Sequence, residues 1–148
     1  MNALAGYEWT ILLPPVAMAF LTGFVFLRLA SDRINEMRTL RIHPQKVATT
    51  REAQQMFQDV RSADHFRNLF EMPVLFYALC AFLAITKLTN VILLACAWGF
   101  VLLRACHSYV HLTSNNVIRR FQFFIASVIV LYVMWGVFAV RLVMNGGR

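Results

Sequence analysis

Two short polar runs have the spacing of a binding or catalytic stripe. Asp64, Arg67, Asn68 and Glu71 stand at i, i+3, i+4 and i+7, and Arg104, His107, Ser108 and His111 repeat the interval, so each set would occupy one face of a helix. Arg120 and, two turns further on, Ser127 add a third. These residue types suit an anionic ligand, since a guanidinium grips a carboxylate through two parallel N–H donors, and lipid phosphate would satisfy them as well. Every acidic residue lies at or before Glu71, which leaves six basic side chains and no carboxylate in the last 77 residues. Arg104 and Arg120 therefore need anions that the chain hardly supplies.

The elements that carry these stripes are apolar. Of 148 residues 59% are hydrophobic and 14% charged, against roughly 25% charged in a soluble domain, and the mean hydropathy is +0.61. Disordered chains and ordinary soluble domains are excluded. The net charge of +7 flanks the apolar runs instead of forming a solvated basic domain, which argues for membrane topology and against nucleic acid. Trp9 to Leu27 and Phe121 to Val140 are nineteen and twenty residues without a charge, enough to cross about 30 Å of hydrocarbon at 1.5 Å per residue. With Glu8 before it and Arg28 and Arg33 after it, the first run has the wrong flanks for a cleaved signal and is expected to be retained.

The middle runs, Met72 to Ile85 and Val91 to Leu103, hold only fourteen and thirteen residues. To reach about 20, the second must begin near Arg67 and the third must end near Val110, which takes Arg67, Asn68, Glu71, Arg104 and His107 below the headgroups. The expected fold is an all-α integral membrane protein, one domain over residues 1–148. Its four-transmembrane-helix bundle has spans at about 9–29, 67–86, 91–110 and 121–140. A loop at about 31–66 carries six Arg and Lys between Arg33 and Arg61. The positive-inside rule puts that loop and Arg119–Arg120 in the cytoplasm and both termini on the opposite side. The polar ends of spans 2, 3 and 4 then share one leaflet, and Pro73 is expected to kink span 2 beside Glu71.

Plainer readings stand beside the chemical one. Arginines near span ends can snorkel to headgroups, and Glu71 with Arg67 can be an intrahelical pair that makes insertion tolerable. His107 and His111 at i, i+4 have no third ligand of the HExxH kind, so no metal site is expected. Cys80, Cys96 and Cys106 are odd in number and lie in or beside apolar runs, which suits buried thiols and no disulfide framework. Phe121, Phe123 and Phe124 can pack, face lipid or receive an apolar substrate.

The order Arg67-Asn68-x-x-Glu71 followed by Pro73, then Arg104-x-x-His107, then Arg120 entering the last of four spans resembles the MAPEG family, the membrane-associated proteins in eicosanoid and glutathione metabolism. The similarity covers about Arg61 to Val140 and is strongest over Arg67 to Pro73. It implies a homotrimer with glutathione, a co-substrate, bound between subunits near the cytoplasmic face. By that resemblance Arg67, Asn68, Glu71, His107 and Arg120 hold the tripeptide, and Arg104 and His111, on the same stripe of span 3 as His107, are expected among the binding residues. Two carboxylates of glutathione suit arginine and its amino group suits Glu71. Arg120 is the candidate catalytic residue, stabilising the nucleophilic thiolate against a lipophilic electrophile arriving from the bilayer along span 4. The sequence departs from the family where Asp64 replaces a common arginine and His111 and Phe124 replace common tyrosines, and Pro73 lies nearer the glutamate than usual. One cation and two hydroxyls are thereby lost, with His111 a candidate substitute donor.

Three functions are consistent with these residues: a glutathione-dependent transferase or peroxidase, a non-catalytic trimer of the same fold that binds lipid, another thiol or a protein partner, and a small multidrug-type transporter built on Glu71. The third is disfavoured by Arg67, which would hold that carboxylate ionised.

Overall fold

In a computed structural model the chain is described at residues 7–47, 49, 52, 56–57, 61–114 and 116–146, and all described regular structure is helical. The helices are α1 (Tyr7–Thr10), α2 (Leu13–Thr39), α3 (Arg61–Asn68), α4 (Met72–Thr86), α5 (Val91–Leu112) and α6 (Val117–Gly146), with a 3-10 turn at Pro44–Val47. Four stretches are long and apolar enough to cross a membrane: Leu13–Thr39, Phe66–Thr86, Val91–Leu112 and Val117–Asn145. The protein is an integral, multi-pass membrane protein.

Local sequence explains the helix ends. Pro14 and Pro15 open α2, where a missing N–H costs nothing and a fixed φ is already helical. That helix continues well past residue 29 to Thr39, so about its last two and a half turns occupy part of the segment read above as loop. The Arg28–Asp32 pair at 3.4 Å supports this extension at i, i+4 spacing. Of the remaining loop, residues 48, 50–51, 53–55 and 58–60 lie outside the described residues. Between α4 and α5, Lys87 closes the turn with φ 56°, and Asn90 caps α5 by accepting the Leu93 N–H at 2.8 Å.

Span 2 is broken where Pro73 foretells it. After Asn68 the chain makes a tight turn through Glu71, whose φ of −90° and ψ of −85° are not helical, and α4 restarts with Pro73 in its first turn. The Leu69 and Phe70 N–H groups bond back to Phe66 and Arg67 at 3.1 and 3.0 Å, a 3-10 tightening. Proline has no N–H and would clash with the preceding turn, so the helix yields there and backbone carbonyls are released from it.

The interior is apolar and narrow. Phe76 stacks on Phe100 at 4.4 Å between ring centres, and Met18, Val25, Leu79, Leu83, Leu93, Ala97, Leu131 and Met134 complete a buried seam shared by the long helices. The outer faces are also apolar: Phe20, Ile85 and Val143 are each about three-quarters exposed, the inverse of a soluble surface and the expected dress of helices solvated by lipid. At the end remote from the polar stripes, Arg141 of α6 donates to the Leu88 carbonyl at 2.9 Å. Arg141→Ala is expected to cost about 1.5–3 kcal/mol, the range for hydrogen bonds to charged groups. Thermal unfolding in detergent, with Arg141→Lys retaining part of the loss, checks this.

Candidate functional site

The break in span 2 creates the site. With α3 ended at Asn68, its carbonyl is turned to α5 and accepts Nη2 of Arg104 at 2.9 Å. Arg104 has no exposed surface and its guanidinium carbon lies 5.7 Å from the Phe124 ring centre, so the cation is enclosed by α3, α5 and α6. Among the described residues, Nε and Nη1 of Arg104 and Oδ1 of Asn68 are buried without a hydrogen-bond partner. Buried polar atoms left so are costly, and an anion or a polar ligand beside them would relieve the cost. The Glu71 carboxylate, exposed on the turn, is within electrostatic reach of Arg104.

One turn further along α5, His107 is buried with Nδ1 2.9 Å from the Arg120 carbonyl oxygen. A carbonyl only accepts, so His107 carries its proton on Nδ1. Another turn along, His111 is equally buried and its Nε2 lies 3.0 Å from Nη1 of Arg120. Ser108 and Ser127 are turned inward onto their own helices, donating to the Arg104 and Phe124 carbonyls at 2.8 and 2.7 Å. Ser127 therefore serves α6 and does not reach toward a ligand.

Asn68, Glu71, His107, Val117, Arg120, Phe121 and Phe124 line one pocket of about 240 Å³. It draws residues from the end of α3 and the turn after it, from α5 and from the first turns of α6, so the three polar stripes meet at one end of the bundle. Arg104 stands behind the pocket wall, against Asn68 and Phe124, and His111 stands behind Arg120. Arg67 is exposed in the last turn before the break, outside the pocket. Asp64 lies on α3, and its side chain is outside the described residues. Two features escaped sequence reasoning. The contact between Arg104 and a backbone carbonyl has no residue signature, although Pro73 signals that a carbonyl will be released nearby. The engagement of Arg120 by His111 was legible only as two polar residues at one depth.

A pocket this size is below the range of about 300–1,000 Å³ typical of small-molecule sites, and Val117 and Phe121 in its lining are largely exposed.

A model described as MAPEG family covers residues 11–140, nearly the whole chain. Neither a curated protein nor a solved structure matches it.

Proposed function

The chain belongs to the MAPEG family, and from that membership together with the pocket we propose that it is a membrane-embedded, glutathione-dependent transferase or peroxidase acting on a lipophilic electrophile. The observation that carries this reading is the convergence of Asn68, Glu71, His107 and Arg120 on one pocket with the fully buried Arg104 behind it. Glutathione fits the donor set. Its carboxylates answer the arginines, its amino group answers Glu71, and its amides answer Asn68 Oδ1, a buried acceptor without a partner among the described residues. The small volume and the exposed Val117 and Phe121 in the lining favour a site completed by a neighbouring subunit, as in a homotrimer, with Arg67 reaching glutathione across that boundary. In the orientation given by the basic loop, the site lies near the cytoplasmic face and both termini lie opposite.

In the proposed reaction the guanidinium of Arg120 stabilises the thiolate, whose proton leaves to water. The sulfur then attacks an electrophilic carbon, and that carbon's leaving group or opened oxygen takes up a proton. Val117 and Phe121, more than 60% exposed at the pocket rim, offer the electrophile an apolar approach from the bilayer.

The Arg67→Ala, Glu71→Ala double variant is expected to lose glutathione-dependent turnover by at least about 100-fold, because each side chain contributes charge-assisted contacts of about 1.5–3 kcal/mol. Turnover retained in detergent-purified double variant would sink the proposal. A second reading, a non-catalytic trimer that binds lipid, another thiol or a protein partner, draws on the pocket wall, where Val117, Phe121 and Phe124 bring no hydroxyl beside Arg120. Conjugation of a model electrophile to glutathione well above background would remove it.

A further inference from the structure

We propose that His111 is a positioning residue: it holds the Arg120 guanidinium at the pocket so that the cation faces a bound thiol instead of turning to the headgroups. This rests on the transferase reading and adds to it a residue that acts through another.

The chemistry of the contact fixes its direction. A guanidinium only donates, so in the 3.0 Å contact between Arg120 Nη1 and His111 Nε2 the histidine supplies the lone pair. Its ring is therefore neutral, with the proton on Nδ1. His111 is 2% exposed and is not among the pocket-lining residues, and its contact with Arg120, which does line the pocket, links it to that site. One turn earlier, His107 donates from Nδ1 to the Arg120 carbonyl at 2.9 Å. Two imidazoles on one face of α5 thus grip a single residue of α6, one at the backbone and one at the tip of the side chain.

The neighbouring arginine shows what the grip prevents. Arg119 enters the same helix turn, its backbone N–H accepted by Asn116 Oδ1 at 3.0 Å, and its side chain is exposed. A flexible cation at a span end ordinarily reaches for headgroups in this way. Arg120 is half-buried and lines the pocket. With five donors in a rigid fork, it can keep His111 on one arm and present another to sulfur. A neutral acceptor is what this task needs, because a carboxylate in the position of His111 would neutralise the charge that the thiolate requires.

The test uses full-length protein in detergent with glutathione as the probe. Glutathione affinity is measured together with thiolate ultraviolet absorbance as a function of pH, in wild type, His111→Leu and His111→Gln. In wild type the bound thiol is expected to ionise at lower pH than free glutathione. His111→Leu is expected to raise that midpoint by about one pH unit, a tenfold loss of thiolate, with affinity changed by less than about threefold. His111→Gln, whose amide oxygen can accept from Arg120, is expected to restore most of it. An unchanged midpoint in His111→Leu overturns the inference and leaves the transferase reading standing. Loss of affinity with no rescue by glutamine also overturns it, since that is the mark of a merely structural residue. Wild type that binds no glutathione, or binds it without thiolate, overturns both. Should His111→Leu fail to fold, nitrogen NMR of histidine-labelled wild type decides: Nδ1–H on His111 supports the inference, and Nε2–H overturns it.

Discussion

Exchanging Arg104 for methionine is expected to leave the helices folded while weakening glutathione binding about tenfold or more. The two effects part because Arg104 enters two accounts. For stability, Arg104→Met loses the bond to the Asn68 carbonyl and leaves that carbonyl buried and unpaired, a cost of about 1–3 kcal/mol. It also removes a fully enclosed cation, two of whose nitrogens lack hydrogen-bond partners among the described residues, and enclosing an ion costs several kcal/mol before its partners offset it. Methionine is unbranched and fills irregular space, so the net change should stay within about 2 kcal/mol. Arg104→Ala opens a cavity as well and should fall in the range of about 2–5 kcal/mol known for truncations in packed cores. For binding, both variants remove the charge behind the pocket wall and release Asn68. Thermal unfolding and glutathione titration of the two variants separate the accounts. If methionine unfolds the protein as badly as alanine and glutathione affinity is unchanged in whatever folds, Arg104 serves the fold alone.

The second large effect belongs to Arg120. In Arg120→Ala the thiol loses a charge-assisted interaction of about 1.5–3 kcal/mol, which corresponds to roughly 10- to 100-fold less thiolate near neutral pH. Conjugation should fall by a similar or larger factor, while binding of the glutathione carboxylates is only moderately affected. Arg120→Lys keeps the charge, but a single ammonium point cannot serve His111 and sulfur together as a planar fork does, so an intermediate loss is expected. Turnover of the two variants under saturating glutathione, read beside thiolate absorbance, measures both. Equal turnover in wild type and Arg120→Ala would move thiol activation elsewhere.

Much of the fold was legible in the sequence because hydrocarbon imposes a strict length. The uncharged runs at Trp9–Leu27 and Phe121–Val140 each hold most of a span, although the first begins only at Leu13, after a turn at Ile11 and Leu12, and the shortness of the middle runs already drew Asn68 and Arg104 inward. Pro73 announced the break in span 2 by its missing N–H. The extension of α2 to Thr39 was hidden, since alternating charges from Asp32 to Arg38 read equally as a solvated loop and as the polar face of a helix leaving the membrane. The site was legible as stripes but not as contacts. Spacing puts His107, His111 and Arg104 on one face, yet only the helix packing shows that His107 takes a carbonyl, that His111 takes Arg120, and that Arg104 faces the backbone of another span. Arg67 shows the opposite limit: a single chain leaves it outside the pocket, and residue spacing says nothing about what a neighbour would bring to it.

The bond between Arg104 and the Asn68 carbonyl also bears on biogenesis. A translocon delivering span 3 alone would release an arginine into lipid at a cost of about 2.5–3.5 kcal/mol, with the acceptor for Nη2 on a helix already threaded. Spans 2 and 3 are joined by the short turn through Lys87 and Asn90. Leaving the channel as a helical hairpin, they can close that bond before either meets the acyl chains, the proline break of one span offering its spare carbonyl to the charge of the other. Each span carries a defect that would hinder its own partitioning, and co-insertion offsets part of both.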